Sequence, residues 1–294
     1  MKIVKFKGGL GNQLFQYAYM RALELKYDCK DVIADLSIYE HTKGDRIRVP
    51  RIEKLNVKIS KAQKSDINKV CYFTHAGNTL GLQYKSKILL ETIFNSKYYF
   101  EFDRSYREIT KIINHSYFDG YWQSWRYLID IEEKLREEIT PKFNLSNKTV
   151  EFIKKIKNEN AVFLGVRRGD YIEIPKNRKH YGEFTEDYYI EAINYIRERV
   201  DNPVFYIFSN DINWVKKNMN FDCDVVYRED DEQISDVEEL FIMGACKHAI
   251  IVNSTFYWWG AWLINNRDKI VVSPKQWFAD DKPIDIVPDN WVKI

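Results

Sequence analysis

Cysteine is scarce in this 294-residue chain, with four in all, at Cys29, Cys71, Cys223 and Cys246. No two form a C-x-x-C pair and none stands beside a histidine at zinc-ligand spacing, so neither a disulfide scaffold nor a zinc module is expected. Scattered thiols suit a reducing cytoplasm, where they act as small core residues. Histidine is equally thin: His41, His75, His115, His180 and His248 are isolated, and they form no catalytic triad in sequence. Long apolar runs are missing too. Ala249-Ile-Ile-Val252 falls far short of the ~20 residues of a spanning helix. The stretch Met1 to Lys7 has only isolated apolar residues, unlike a signal peptide or an anchor. Nor is there an excess of charge, since 45 Lys plus Arg face 43 Asp plus Glu for a net of +2. That balance argues against general electrostatic binding of nucleic acid. No internal repeat or low-complexity segment is found.

Hydrophobic residues make up 45% of the chain and charged residues 30%. A sizeable core is therefore expected, and the length suits two ordinary domains or one large one. Aromatics reach 15%. Core packing accounts for most of them, although clustered aromatics also line carbohydrate and nucleoside sites.

The pattern along the chain is strand alternating with helix, which predicts an α/β layered fold. Ile3, Val4 and Phe6 form a short strand ending at Gly8-Gly9. A helix follows, with Leu14, Ala18, Arg21 or Ala22, and Leu25 at helical spacing. Residues 31–35 read as a second strand. The middle, about 42 to 114, reads as short helices and loops. A charged helix spans 131–139 and stops before Pro141, and the polar stretch 141–148 marks a domain boundary. Beyond it come a helix at 149–158, strand 161–166, helix 185–200, strand 204–208, a helix around Trp214, strand 225–227, helix 236–246, strand 249–252, helix 258–265 and strand 269–274. In outline this is a doubly wound sheet.

Such sheets bind ligands at the carboxyl ends of their strands. Polar clusters stand at four of these ends: residues 8–13, 167–170, 209–211 and 253–255. The Gly8-Gly-Leu-Gly-Asn-Gln13 turn lets backbone N–H groups approach an anion, or is simply a tight strand-to-helix turn. It is not a dinucleotide fingerprint, because Leu14 stands where G-x-G-x-x-G needs glycine, and no P-loop Lys-Ser/Thr follows. Arg167 and Arg168 leave a buried strand as a planar cationic pair suited to a diphosphate. Asp170 either orients an arginine or serves as a base. Asp211 can accept from the N–H groups of a guanine edge. Asn253-Ser-Thr255 offers hydroxyls and helix-end amides to phosphate, or caps a helix. Trp258, Trp259 and Trp262 read as core. Residues 118–127 read as an aromatic-rich strand-to-loop segment, in which Tyr121, Trp122 and Trp125 lie in a run too polar for a buried strand. Asp222-Cys-Asp224 has the D-x-D spelling of metal-dependent sugar transfer but precedes a strand, which argues against a metal role.

Taken in order, several segments resemble the bacterial α-1,2-fucosyltransferases of glycosyltransferase family 11. They are Lys7-Gly-Gly-Leu-Gly-Asn-Gln13, Gly120-Tyr-Trp-Gln-Ser124, Val166-Arg-Arg-Gly-Asp-Tyr171, Phe208-Ser-Asn-Asp211 and Asn253-Ser-Thr-Phe-Tyr-Trp-Trp-Gly-Ala-Trp262. The resemblance covers essentially the whole chain. It implies an α/β, GT-B-like fold, with two Rossmann-type domains facing each other across a cleft. Residues 1–147 would be the acceptor side and 148–294 the GDP-sugar side, with the extreme C-terminus packing back on the first domain. The implied activity is inverting transfer of L-fucose from GDP-β-L-fucose to a galactose 2-hydroxyl, without a metal or other cofactor. Donor residues would be Gly9, Gly11, Asn12, Gln13, Arg167, Arg168, Ser209, Asp211, Asn253, Ser254 and Thr255. Arg167 and Asp170 would be catalytic, and Tyr121, Trp122, Trp125 and Tyr171 would meet the acceptor. The acceptor would be a β-galactoside glycan of the surface-polysaccharide or O-antigen type, reached in the cytoplasm or at the inner membrane face through a lipid-linked acceptor. One departure stands out. The family pattern reads His-x-Arg-Arg-Gly-Asp, and Gly165 holds the histidine position. Another GDP-sugar as donor, or a decayed binding protein, therefore stays open.

Overall fold

The computed structural model describes residues 1–40, 49–74, 82–168, 175, 179, 182, 184–229, 234–280 and 284–294. Two compact units emerge, one comprising Met1–Lys142 with Pro283–Ile286, the other Phe143–Lys282 with Val287–Ile294. Each is built on a parallel sheet, as the α/β reading requires.

The first unit begins with strand β1 (Lys2–Lys5), helix α1 (Leu10–Tyr27) and strand β2 (Val32–Asp35). After helices α2 (Lys64–Val70) and α3 (Leu82–Phe94) come strands β3 (Tyr98–Phe100) and β4 (Tyr117–Asp119), then helix α4 (Glu132–Glu138). The strand order is β2-β1-β4-β3. Ile3 aligns with Ile33 on one side and Tyr117 on the other. Helix α1 is sunk in the unit, with Leu10 through Leu23 buried apart from Asn12. Its amides continue the β1 exit through Gly9, whose extended backbone starts the helix without a side-chain cap. Strand β3 falls where the sequence suggests short helices and loops, and at three residues it is too short to show a period. Strand β4 is the strand end of the aromatic segment 118–127.

The second unit contains α5 (Asn147–Lys157), β5 (Asn160–Val166), α6 (Glu186–Arg197), β6 (Pro203–Ser209), α7 (Ile212–Asn218), β7 (Val225–Tyr227), α8 (Asp236–Gly244), β8 (His248–Ile250), α9 (Thr255–Leu263), β9 (Val271–Ser273) and β10 (Val292–Lys293). Its sheet runs β10-β9-β8-β5-β6-β7. Counted from β5, that is the 3-2-1-4-5-6 order of dinucleotide-binding sheets. Residues Ala161 to Leu164 are wholly buried. The unbroken apolar run reflects a parallel strand covered on both faces. Helix α8 opens with a capping box between Ser235 and Glu238. The Glu238 carboxylate also accepts from the Ser146 N–H and the Thr149 hydroxyl at the start of α5. Burial alone would raise its pKa, yet these hydrogen bonds bring it down to about 2. Among the described residues, no helix is long and apolar enough to cross a membrane.

Candidate active site

In each sheet the first strand has neighbours that continue the chain in opposite directions, which makes a topological switch point. In the second unit β6 lies on one side of β5 and β8 on the other. The loops leaving these strands diverge there and open a crevice at the carboxyl ends. Arg167 and Arg168 leave β5 at this point. Ser209 to Asp211 leave β6, and Asn253 to Thr255 leave β8 and start α9. The parallel sheet thus gathers three of the four polar clusters read from the sequence.

Local bonds set their attitudes. The Arg168 N–H donates to the Asn210 side chain at 2.9 Å, and the Arg168 guanidinium lies 3.1 Å from the centre of the Trp214 ring. The Ser209 hydroxyl accepts from the Asp211 N–H, and the Asp211 carboxylate caps α7 by accepting from the Trp214 N–H. Asp211 is therefore tied to its own helix through one carboxylate oxygen. Asn253 is buried and donates to the Trp277 carbonyl at 2.9 Å. Ser254 is the N-cap of α9 but makes no side-chain cap bond. Beside the arginines lies a cavity of about 190 Å³, lined among others by Arg167, Arg168, Thr185, Glu186, Tyr189 and Trp214. Asp170 and Tyr171 lie outside the described residues.

Gly165 proves to be a packing requirement. A Cβ there would sit 2.5 Å from the ring of Tyr257. The space that a larger residue would claim is filled by that ring, whose hydroxyl lies 3.3 Å from the Val166 carbonyl and 3.2 Å from the Phe208 carbonyl. Tyr257 thus reaches from α9 to the ends of β5 and β6. Gly165→Ala is expected to destabilise the protein by about 1–3 kcal/mol, the usual result of overpacking. Removing the ring as well, in Gly165→Ala/Tyr257→Leu, should make the two changes non-additive by at least about 0.5 kcal/mol. Urea denaturation reads both numbers, and an alanine at 165 that cost nothing would refute the packing account.

The first unit places the Gly-rich turn beside the 120–124 loop, because β1 and β4 are neighbours. Gly8 has φ of +85°. That left-handed conformation favours glycine, and a Cβ would come 2.5 Å from the Asn12 amide nitrogen. The Asn12 side chain in turn accepts from Gln123 at 2.8 Å. Gln13 is wholly buried, donating to the Gly8 and Val49 carbonyls and accepting from the Ile52 N–H. It braces the turn from inside. Gln16, unremarked in the sequence, bonds both polar groups of the Lys7 backbone and the Gly120 carbonyl. Trp122 is also inside: it is wholly buried and stacks on Tyr19 with ring centres 3.8 Å apart. Its left-handed backbone, φ 56°, turns the indole inward despite polar neighbours. Tyr121 remains 42% exposed, under the Lys7 ammonium at 4.6 Å. Trp125 is half-buried, and its N–H donates to the Asp285 carbonyl.

Two carboxylates without any signal in sequence complete this end. Asp119 is wholly buried, with Lys5 at 3.2 Å and Lys7 at 2.5 Å, and accepts from the Tyr84 and Tyr98 hydroxyls. Burial alone would raise its pKa, but the two ammonium groups hold it well below the usual carboxylate range. Glu101, just past β3, accepts from the Tyr121 and Trp122 N–H groups at 2.6 and 3.1 Å. Burial outweighs these bonds and pushes its carboxyl up to about 7. It can therefore exchange a proton near neutrality. Among the described residues, no group of three or more His, Cys, Asp or Glu side chains could hold a metal ion.

Comparison with known proteins places these features in a lineage. The model of glycosyl transferase family 11 matches residues 1–294. An alpha-1,2-colitosyltransferase of Escherichia coli is 33% identical, aligned over 99% of this chain and 98% of its own. The O-antigen biosynthesis glycosyltransferase WbnK of the same organism is 30% identical, over 98% of each chain. Among solved structures, the fucosyltransferase NodZ from Bradyrhizobium covers 88% of this chain and 90% of its own, at 10% identity and a TM-score of 0.47.

Proposed function

This chain belongs to glycosyl transferase family 11, and on that premise we propose that it transfers L-fucose from GDP-β-L-fucose to the 2-hydroxyl of a terminal galactose, with inversion. The observation that carries the reading is the Arg167–Arg168 exit of β5, beside the start of α9 at the switch point of a 3-2-1-4-5-6 sheet. Breaking the bond between sugar and phosphate leaves positive charge on the sugar and negative charge on the nucleotide. A fixed guanidinium fork and helix-end amides stabilise the departing diphosphate where that charge develops. In this reading no cation is needed, and a chelator leaves the rate unchanged. The acceptor hydroxyl attacks the opposite face of the sugar and loses its proton to a base. Asp170 is the base this reading retains. Such an enzyme acts on a glycan of the surface-polysaccharide or O-antigen type, in the cytoplasm or at the inner membrane face.

A second donor is favoured by one relative and one contact. The 33% identical protein bears a colitosyl name, and in this chain the Tyr257 ring occupies the space beside residue 165. Colitose is fucose without its 3-hydroxyl, so a changed donor pocket would select between the two by one polar contact. The deciding experiment offers a panel of GDP-sugars and β-galactosides to the purified chain with and without chelator, followed by linkage analysis. A 2-linked fucosyl product in chelator supports the reading. A colitosyl product alone moves the donor assignment, and no transfer from any GDP-sugar sinks both.

A further inference from the structure

The last part of helix α3 departs from an ordinary surface helix. A helix packed on a core turns its apolar side chains inward and its charges to water. In Leu82–Phe94 Ile88 still faces inward, but from Leu89 onward the helix buries a charge and exposes apolar side chains. Glu91 is wholly buried, where it accepts from the Phe73 and Thr74 N–H groups, the Thr74 hydroxyl and the Asn95 amide. Leu89, Leu90, Ile93 and Phe94 meanwhile stand 54%, 37%, 61% and 67% exposed. At 100° per residue these four span an arc of about 140° on one side of the helix. Single exposed apolar residues are ordinary, but four on one face mark a surface that another phase or molecule covers.

The charges on this helix indicate what covers it. Glu91 is the only carboxylate in α3 and it points inward, so the exposed face carries no negative charge. Lys85 lies beside the stripe at one edge and Lys87 at the other, and the exposed Lys97 follows the helix end. An apolar stripe bordered by lysines fits the boundary of a lipid layer. The stripe enters among acyl chains, and the ammonium groups reach back to headgroup phosphates. A second copy of this chain fits poorly, because a two-fold contact would set one lysine-bordered face without carboxylates against another. We propose that the exposed face of α3 is a peripheral docking surface for a membrane rich in anionic lipid. Isolated anionic charge would attract only the lysines and would leave the stripe wet.

The test needs no sugar transfer, so it succeeds or fails apart from the donor assignment. Purified full-length chain is floated with vesicles of phosphatidylglycerol and phosphatidylethanolamine, and in parallel with vesicles of phosphatidylcholine alone. The wild type should float with the anionic vesicles and do so less well at high salt. Ile93→Glu/Phe94→Glu should lower partitioning about tenfold or more. Both residues are exposed, so the melting temperature should stay unchanged. Lys85→Glu/Lys87→Glu should remove the preference for anionic vesicles, and it serves as the second probe if the first variant melts early. The proposal is overturned if the wild type stays unbound, if both variants bind as it does, or if light scattering shows a dimer that Ile93→Glu/Phe94→Glu dissolves.

Discussion

Arg167→Ala is expected to leave a folded protein whose transfer rate is lower by about 10²–10³, the typical result of losing one preorganised donor to a developing anion. The reason lies in position. Arg167 is the first residue beyond the buried run of β5, and parallel strands on both sides hold that exit in place. The Val166 and Phe208 carbonyls beside it are braced by the Tyr257 hydroxyl. A strand exit held this way fixes the backbone from which the Arg167 side chain extends. The neighbouring arginine serves differently. The Arg168 guanidinium sits over the Trp214 ring, so Arg168→Ala should lose that cation–π contact and donor affinity more than turnover. Arg167→Lys keeps a charge but not the fork, and should recover only part of the rate. Steady-state kinetics with saturating donor, alongside circular dichroism, separates these cases. Near-normal kcat in a well-folded Arg167→Ala protein would remove the leaving-group role.

Asp119→Ala should destabilise the first unit by about 3–5 kcal/mol, the range found when one member of a buried ion pair is deleted. Lys5 then loses its buried salt-bridge partner, keeping the Tyr84 hydroxyl and the field of Asp35, and two tyrosine hydroxyls lose their acceptor. The dependence on pH follows from the direction of the shift. Asp119 has a folded pKa below its unfolded value, so its contribution is full above about pH 4. As pH falls below that value the unfolded chain takes up a proton that the folded protein resists, and the contribution is progressively lost. The gap between wild type and Asp119→Ala in urea should therefore be widest near pH 7 and narrow towards pH 3. A gap under about 1 kcal/mol at pH 7 would show that Lys5 finds another partner or water, and the ion-pair account would fail.

The two halves of the chain differ in how openly they write their fold. Strand β5 is legible because it is buried on both faces, and every residue from Ala161 to Val166 had to be apolar or small. Strand β3 is not legible, because three residues carry no period, and in β4 the burial of Asp119 is not, because an aspartate reads as surface. Its charge is tolerated inside only because Lys5 and Lys7, more than a hundred residues earlier, arrive beside it. Trp122 looks outward-facing from its polar neighbours, yet a left-handed backbone and the Tyr19 ring place it in the core. Glu101 leaves no mark at all, since its raised pKa depends on a loop that folds over it twenty residues later.

Local composition alone settled the class of the protein, the alternation of strands and helices in its second half, and the polar residues that follow each strand. Those properties depend on neighbours in the chain, where periodicity and turn chemistry operate. Strand order was decided only by the tertiary structure. Hydrophobic pattern states that a parallel strand is buried but not beside which strand, and it was the placing of β8 next to β5 that brought Asn253–Thr255 to Arg167. The same holds for Gly165, whose missing side chain acquires a meaning only when a tyrosine ninety residues away fills the space.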